Sequence, residues 1–172
     1  MATMKEKFNL TRTINIIDKG MMRMKLVIGS DHGGLRLKAV VIKHLEELGH
    51  EVKDVGPLEE KSVDYPSYAF EVCQNVVEGN ADLGILCCGT GIGMSMAANK
   101  VRGIRAAVVT DCFSAEMTRQ HNNCNVLCLG QRVIGEGLAL KIVDTWMNSE
   151  FQGDRHQRRI DLITEYENNN GK

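Results

Sequence analysis

From Lys25 onward, short apolar runs alternate with stretches in which apolar residues recur at helical spacing. That alternation constrains the chain to repeated β-α units, with parallel strands buried between helices. The runs fall at 26–30, 51–55, 83–88, 105–109 and 125–129. Between the first two, Leu35, Leu37, Val40, Val41, Leu45 and Leu48 form a helical stripe, and Gly49 supplies a stop. Further helices are expected at about 67–78, from near Gly93, at 114–121 and at 135–148, with a terminal helix carrying Arg155 and Arg159. The expectation is an α/β domain on a five-stranded parallel sheet.

A chain of 172 residues has room for one full core. We expect the domain over 24–150, beginning at Met24, and a C-terminal helix and tail over 151–172 packing on a partner subunit. Residues 1–23 stand outside the rhythm as an extension that a start-site artefact would explain. With 43% hydrophobic and 25% charged residues the composition is that of a globular protein, and no apolar run has membrane-spanning length. The net charge of -1 argues against nucleic-acid binding, so any anion site is local. Six cysteines occur without a C-x-x-C pair or a zinc-like cysteine-histidine spacing, and no secretory apolar core opens the chain. A reducing cytoplasm fits best.

Ligand sites in parallel α/β sheets lie beyond the carboxyl ends of the strands. The segments to examine are Asp31-His32, Cys88 to Gly93, Asp111 to Ser114 and Gly130 to Arg132. The most informative is Cys88-Gly89-Thr90-Gly91-Ile92-Gly93, a glycine-rich turn between an apolar strand and a helix. Its backbone N–H groups can converge on an anion or oxyanion, and they and the helix dipole favour a thiolate at Cys88. The alternative is a structural turn with a buried cysteine. The spacing departs from G-x-G-x-x-G, and Met94 stands where a phosphatase loop would need arginine, so neither a nicotinamide cofactor nor phosphoryl transfer is supported.

Asp31 and His32 follow the first strand and should overlook the same crevice, unless Asp31 only caps the helix. His121, at a helix end, suits proton exchange near neutral pH. Arg155 and Arg159 share one helix face, either as solvated charges or, with Arg132 and His32, as a grip on a phosphate dianion. Ile160, Leu162 and Ile163 are expected to pack elsewhere. His44 and His50 read as surface residues, and His156 should point off the arginine face.

Together, Asp31-His32-Gly33-Gly34, Asp64-Tyr65-Pro66, Cys88 to Gly93, Ala97-Ala98-Asn99-Lys100, Arg119-Gln120-His121-Asn122, Asn125-Val126-Leu127 and Gly153 to Gln157 resemble the type B ribose-5-phosphate isomerases. That family also holds galactose 6-phosphate isomerase subunits and enzymes acting on allose 6-phosphate. The resemblance covers Met24 to about Glu167. It implies a Rossmann-like three-layer α/β/α fold, a homodimer or dimer of dimers with the site between subunits, a phosphorylated sugar as substrate, and no metal or cofactor. It also implies roles: Cys88 as the base between C1 and C2, Thr90 at the substrate oxygens, and His121 opening the furanose ring. Asp31, His32, Gly89, Gly91, Ile92, Gly93 and Asn122 would line the sugar site. Arg132, Arg155 and Arg159 would hold the phosphate, and Tyr65 would close the pocket. One branch of the family carries a glutamate in the glycine loop where this chain has Met94, which places it with the cysteine branch.

Overall fold

The computed structural model describes residues 23–170, so the extension expected over 1–23 lies outside the described residues except for Arg23. The elements are β1 (Lys25–Ser30), α1 (Leu35–Glu47), β2 (Glu51–Asp54), α2 (Tyr65–Val77), β3 (Leu83–Cys88), α3 (Ile92–Ala98), β4 (Ala106–Val108), α4 (Cys112–Gln120), β5 (Val126–Gly130), α5 (Glu136–Met147) and α6 (Asp154–Asn170). The five strands are parallel in the order β2-β1-β3-β5-β4. The fold is the expected Rossmann-like α/β/α sandwich. Among the described residues no helix is long and apolar enough to cross a membrane.

Strand alternation sorts the interior into two cores. Leu26, Ile28, Leu83, Ile85, Cys87, Leu127 and Leu129 face α1, α4 and α5, where Leu37, Val41, Ala115, Ile142 and Trp146 meet them. Val27, Leu86, Cys88, Val126 and Cys128 face α2 and α3, against Ala69, Val72, Met94 and Ala98. The adjacent cysteines of β3 therefore serve opposite layers. Cys87 has no exposed surface, whereas Cys88 retains 6%.

Boundaries differ from the sequence expectation where caps decide them. The second helix begins at Tyr65 instead of Ser67, because Pro66 fits a first turn; Asp64 stands at the N-cap position in extended conformation without a side-chain cap bond. The fourth begins at Cys112, where Asp111 accepts the Ser114 N–H at 2.8 Å and its hydroxyl at 2.7 Å. Those two bonds hold the Asp111 carboxyl below the usual range, and they make it a cap.

Two histidines read as surface residues are not. His50 is 6% exposed and takes the Met24 N–H on Nδ1 at 3.3 Å. Burial lowers its pKa, with His44 adding to the effect. His44 lies 2.6 Å from Asp144 across the α1–α5 contact. Leu162 and Ile163 also depart from expectation: of the terminal helix only Ile160 and His156 are buried, while these two are 61% and 54% exposed.

Candidate active site

Strand order reverses at β1, with β2 on one side and β3 on the other, so the turns after β1 and β3 lie side by side. Gly34 makes the approach possible, since a Cβ there would stand 2.3 Å from the carbonyl carbon and oxygen of Cys87 and 2.6 Å from the Cys88 nitrogen. Asp31 takes its own backbone bond from this turn, its N–H donating to the Cys87 carbonyl at 3.2 Å. Its carboxylate accepts the Gly33 N–H at 2.8 Å. The N-cap of α1 is Gly34, without a side-chain bond, so Asp31 does not cap the helix.

Cys88 ends β3 with its thiol turned into the following loop, where the Gly91 N–H donates to Sγ at 3.0 Å. Gly91 has φ +81°, a left-handed conformation that turns the chain back over the sulfur and starts α3. Thr90 is exposed, and its Oγ1 accepts the Ile92 N–H at 3.3 Å. The Tyr65 ring lies on the first turn of α3, close enough that a Cβ on Gly93 would be 2.9 Å from Cζ. From β5, the Gln131 N–H reaches the Cys88 carbonyl at 2.9 Å and the Arg132 N–H the Gly89 carbonyl at 3.0 Å. The Arg132 side chain runs along Gly89. Asp31, His32, Tyr65, the loop from Cys88 to Gly93 and Arg132 are thus gathered at the carboxyl edge.

Sequence reasoning missed the parts that brace this edge. Lys38 is 2% exposed, yet its Nζ donates to both oxygens of Asp54 at 2.7 and 2.9 Å and to the Pro57 carbonyl at 2.7 Å. The buried ammonium is paired and saturated, as burial requires. It anchors the loop whose Val63 N–H donates to His32 Nδ1 at 3.4 Å. Gln131 Oε1 accepts the Leu37 N–H at 2.9 Å, satisfying the start of α1 from across the sheet. A helical lysine or a loop glutamine carries no local signal of such partners.

The remaining expected residues lie elsewhere. Helix α4 runs back across the sheet, so His121 and Asn122 sit at the amino edge, before β5 begins. Arg105, just ahead of β4, donates from Nε to the carbonyls of Asn122 and Asn123, each at 3.0 Å. Helix α6 starts at the same edge, its preceding Gln152 N–H bonded to the Gln120 carbonyl at 3.0 Å. Arg155 and Arg159 project from it, exposed. Cys88 pairs with Gly130 at the far end of β5. Five residues of β5, at about 3.3 Å each, put the two edges roughly 15 Å apart. One chain therefore presents two groups of residues that it does not itself bring together.

The exposed apolar side chains follow both groups. Ile92 and Met96, one turn apart on α3, are 50% and 63% exposed, and Phe113 at the start of α4 is 71% exposed. At the amino edge a cleft of about 460 Å³ is lined by Arg102, Asn122, Ile160, Ile163 and Thr164, away from Cys88. Among the described residues no group of three His, Cys, Asp or Glu side chains is placed to hold a metal ion.

Residues 26–163 match the family model described as Ribose/Galactose Isomerase. The ribose-5-phosphate isomerase B of Escherichia coli is 48% identical over 143 residues, which are 83% of this chain and 96% of that one. The structure of Clostridium thermocellum ribose-5-phosphate isomerase B superposes with a TM-score of 0.84 at 52% identity, covering 85% of this chain and 99% of that chain. The Mycoplasma genitalium ribose-5-phosphate isomerase B with bound ribulose 5-phosphate gives a TM-score of 0.81 at 46% identity, over 84% and 96%.

Proposed function

This chain belongs to the ribose/galactose isomerase family, and we propose that it interconverts D-ribose 5-phosphate and D-ribulose 5-phosphate through an enediolate, a reaction of the pentose phosphate pathway. The observation that carries the reading is Cys88, whose sulfur sits at the end of β3 and accepts the Gly91 N–H, in a loop whose Gly89 lies against the Asp31 turn and whose Gly93 lies against the Tyr65 ring. Cys88 removes the C2 proton of the open-chain aldose and returns it to C1, while a hydroxyl proton passes from O2 to O1. Thr90 and the amides of the loop stand near the oxygens on which negative charge develops.

Ribose 5-phosphate is mostly closed, and ring opening needs its own proton transfers: O1 loses a proton, the C1–O4 bond breaks and O4 gains one. His121 is assigned that step and Asn122 the neighbouring hydroxyls. Because proton transfer requires contact near 3 Å and His121 lies roughly 15 Å from Cys88 in one chain, His121 and Asn122 act from a second copy. Arg155 and Arg159 come from the same copy and, with Arg132 and His32, hold the phosphate. The exposed Ile92, Met96, Phe113, Leu162 and Ile163 suit burial in such a homodimer, alone or paired into a dimer of dimers. All six cysteines are free, which suits the cytoplasm.

A coupled assay comparing ribose 5-phosphate, allose 6-phosphate and galactose 6-phosphate tests the substrate, with ribose 5-phosphate expected to give the highest kcat/KM. Binding of sugar phosphate without turnover would refute the isomerase reading. His121→Ala tests the ring-opening role under single-turnover conditions, with enzyme in excess. Consumption of cyclic ribose 5-phosphate should slow by about 10²-fold, a general acid-base contribution. Consumption of ribulose 5-phosphate, which reaches the enediolate without a ring step, should change far less. Equal losses would reject the role.

A further inference from the structure

His156 is buried, at 5% exposure, in the first turn of a helix otherwise almost wholly exposed. Its ring stacks on His121 with centroids 4.2 Å apart and planes within 5° of parallel. Its Nε2 is buried without a hydrogen-bond partner among the described residues. Unpaired buried polar atoms are uncommon in native proteins, and leucine at this place would bury as well without leaving one. A planar ring of this shape is therefore being held against His121 for a reason other than filling space.

The surrounding chain fixes the pair from both sides. Gln152 bonds to Gln120 twice, backbone N–H to carbonyl at 3.0 Å and Nε2 to Oε1 at 2.8 Å. Gly153 and Asp154 then turn the chain with φ of +67° and +46°, and the His156 N–H closes on the Gly153 carbonyl at 2.9 Å. Burial, followed by the charges of His121, Arg155 and Arg159, holds the His156 imidazole below the ordinary histidine range against the opposing effect of Asp154. That direction favours the uncharged ring, which sets no extra positive charge beside His121.

We propose that His156 is a positioning residue for His121, its stacked ring fixing the plane in which His121 meets the closed sugar. The inference rests on reading His121 as the ring-opening group. Ring opening requires one imidazole to reach O1 and O4 in register, and misplacement of a reacting group by about 1 Å can lower a rate by about 10²-fold. Without the stack, His121 would rotate about its side-chain torsions and lose that register.

The test compares His156→Leu, which keeps the apolar volume without a plane, with His156→Phe, which keeps the plane without the nitrogens. Under single-turnover conditions His156→Leu should slow consumption of cyclic ribose 5-phosphate by about tenfold, a partial loss of register. Ribulose 5-phosphate should be consumed at close to the original rate, and His156→Phe should recover most of the lost rate. Equal slowing of both sugars by His156→Leu, or a folded His156→Phe no faster than His156→Leu, would overturn the proposal. His121→Ala separates the two layers of inference. If it slows the cyclic sugar selectively while His156→Leu does not, positioning fails and ring opening by His121 stands; if it slows both sugars equally, the ring-opening reading fails first.

Discussion

Replacing Cys88 with alanine is expected to lower kcat on ribose 5-phosphate by at least about 10²-fold, the lower end of what a positioned general base contributes. The proposed base is this thiol, which ends β3 and accepts the Gly91 N–H in the loop beside the Asp31 turn. Affinity at the phosphate end should change little, because the arginines and His32 are untouched. Alkylation should distinguish the thiols. Burial pushes Cys73 up to about 12 and raises Cys87, Cys124 and Cys128 as well, and none of the four retains more than 1% of its surface. Cys88, with 6%, should be modified ahead of them and be protected by sugar phosphate. Half-buried Cys112 should react without protection. A folded Cys88→Ala protein with near-normal turnover would assign the base elsewhere, with Asp31 the carboxylate to examine next.

Gly34→Ala is expected to be the most damaging single methyl in the described chain. Its φ of -116° is open to alanine, so the effect is steric alone. The added carbon would stand 2.3 Å from the Cys87 carbonyl group, and backbone cannot swing aside as a side-chain end can. The turn after β1 must part from the end of β3, which disrupts the Asp31 to Cys87 bond as well as local packing. We expect a loss of about 3 kcal/mol, the upper range for overpacking. At this chain length that lowers Tm by about 6–12 °C, accompanied by reduced kcat. Gly137→Ala in α5 is the control, since its Cβ would meet nothing within 4 Å and helix propensity favours it. Equal melting of the Gly34→Ala protein and the parent would show that the turn yields more readily than its geometry implies.

Much of the fold was legible because both faces of the sheet are buried. Segments such as LGILCC can then be little other than interior strands, and the helical stripe from Leu35 to Leu48 could only face them. The carboxyl-edge residues were legible for the same reason, since position after a strand already puts them at the crevice. What escaped depended on contacts between distant segments. Lys38 looks like one more solvated helical lysine until Asp54 and Pro57 close over it. His156 sits among arginines in a segment whose polarity suggests solvent, and only the return of α6 onto the end of α4 buries it. The separation of His121 from Cys88 follows from the direction of α4, which a list of motifs in chain order does not express.

The shared site can be tested most directly by mixing chains. Cys88→Ala and His121→Ala proteins, each expected to be nearly inactive on ribose 5-phosphate as a homo-oligomer, would be co-expressed with different tags, and the mixed dimer would be purified through both and assayed on ribose 5-phosphate. If each site takes Cys88 from one copy and His121 from the other, the mixed dimer holds one intact site and one doubly defective site. It should recover about half of the parent activity per dimer, as an isologous two-fold interface dictates. A mixed dimer as inactive as its parents would mean that both residues serve the same chain, and the division of the site between two copies would be contradicted.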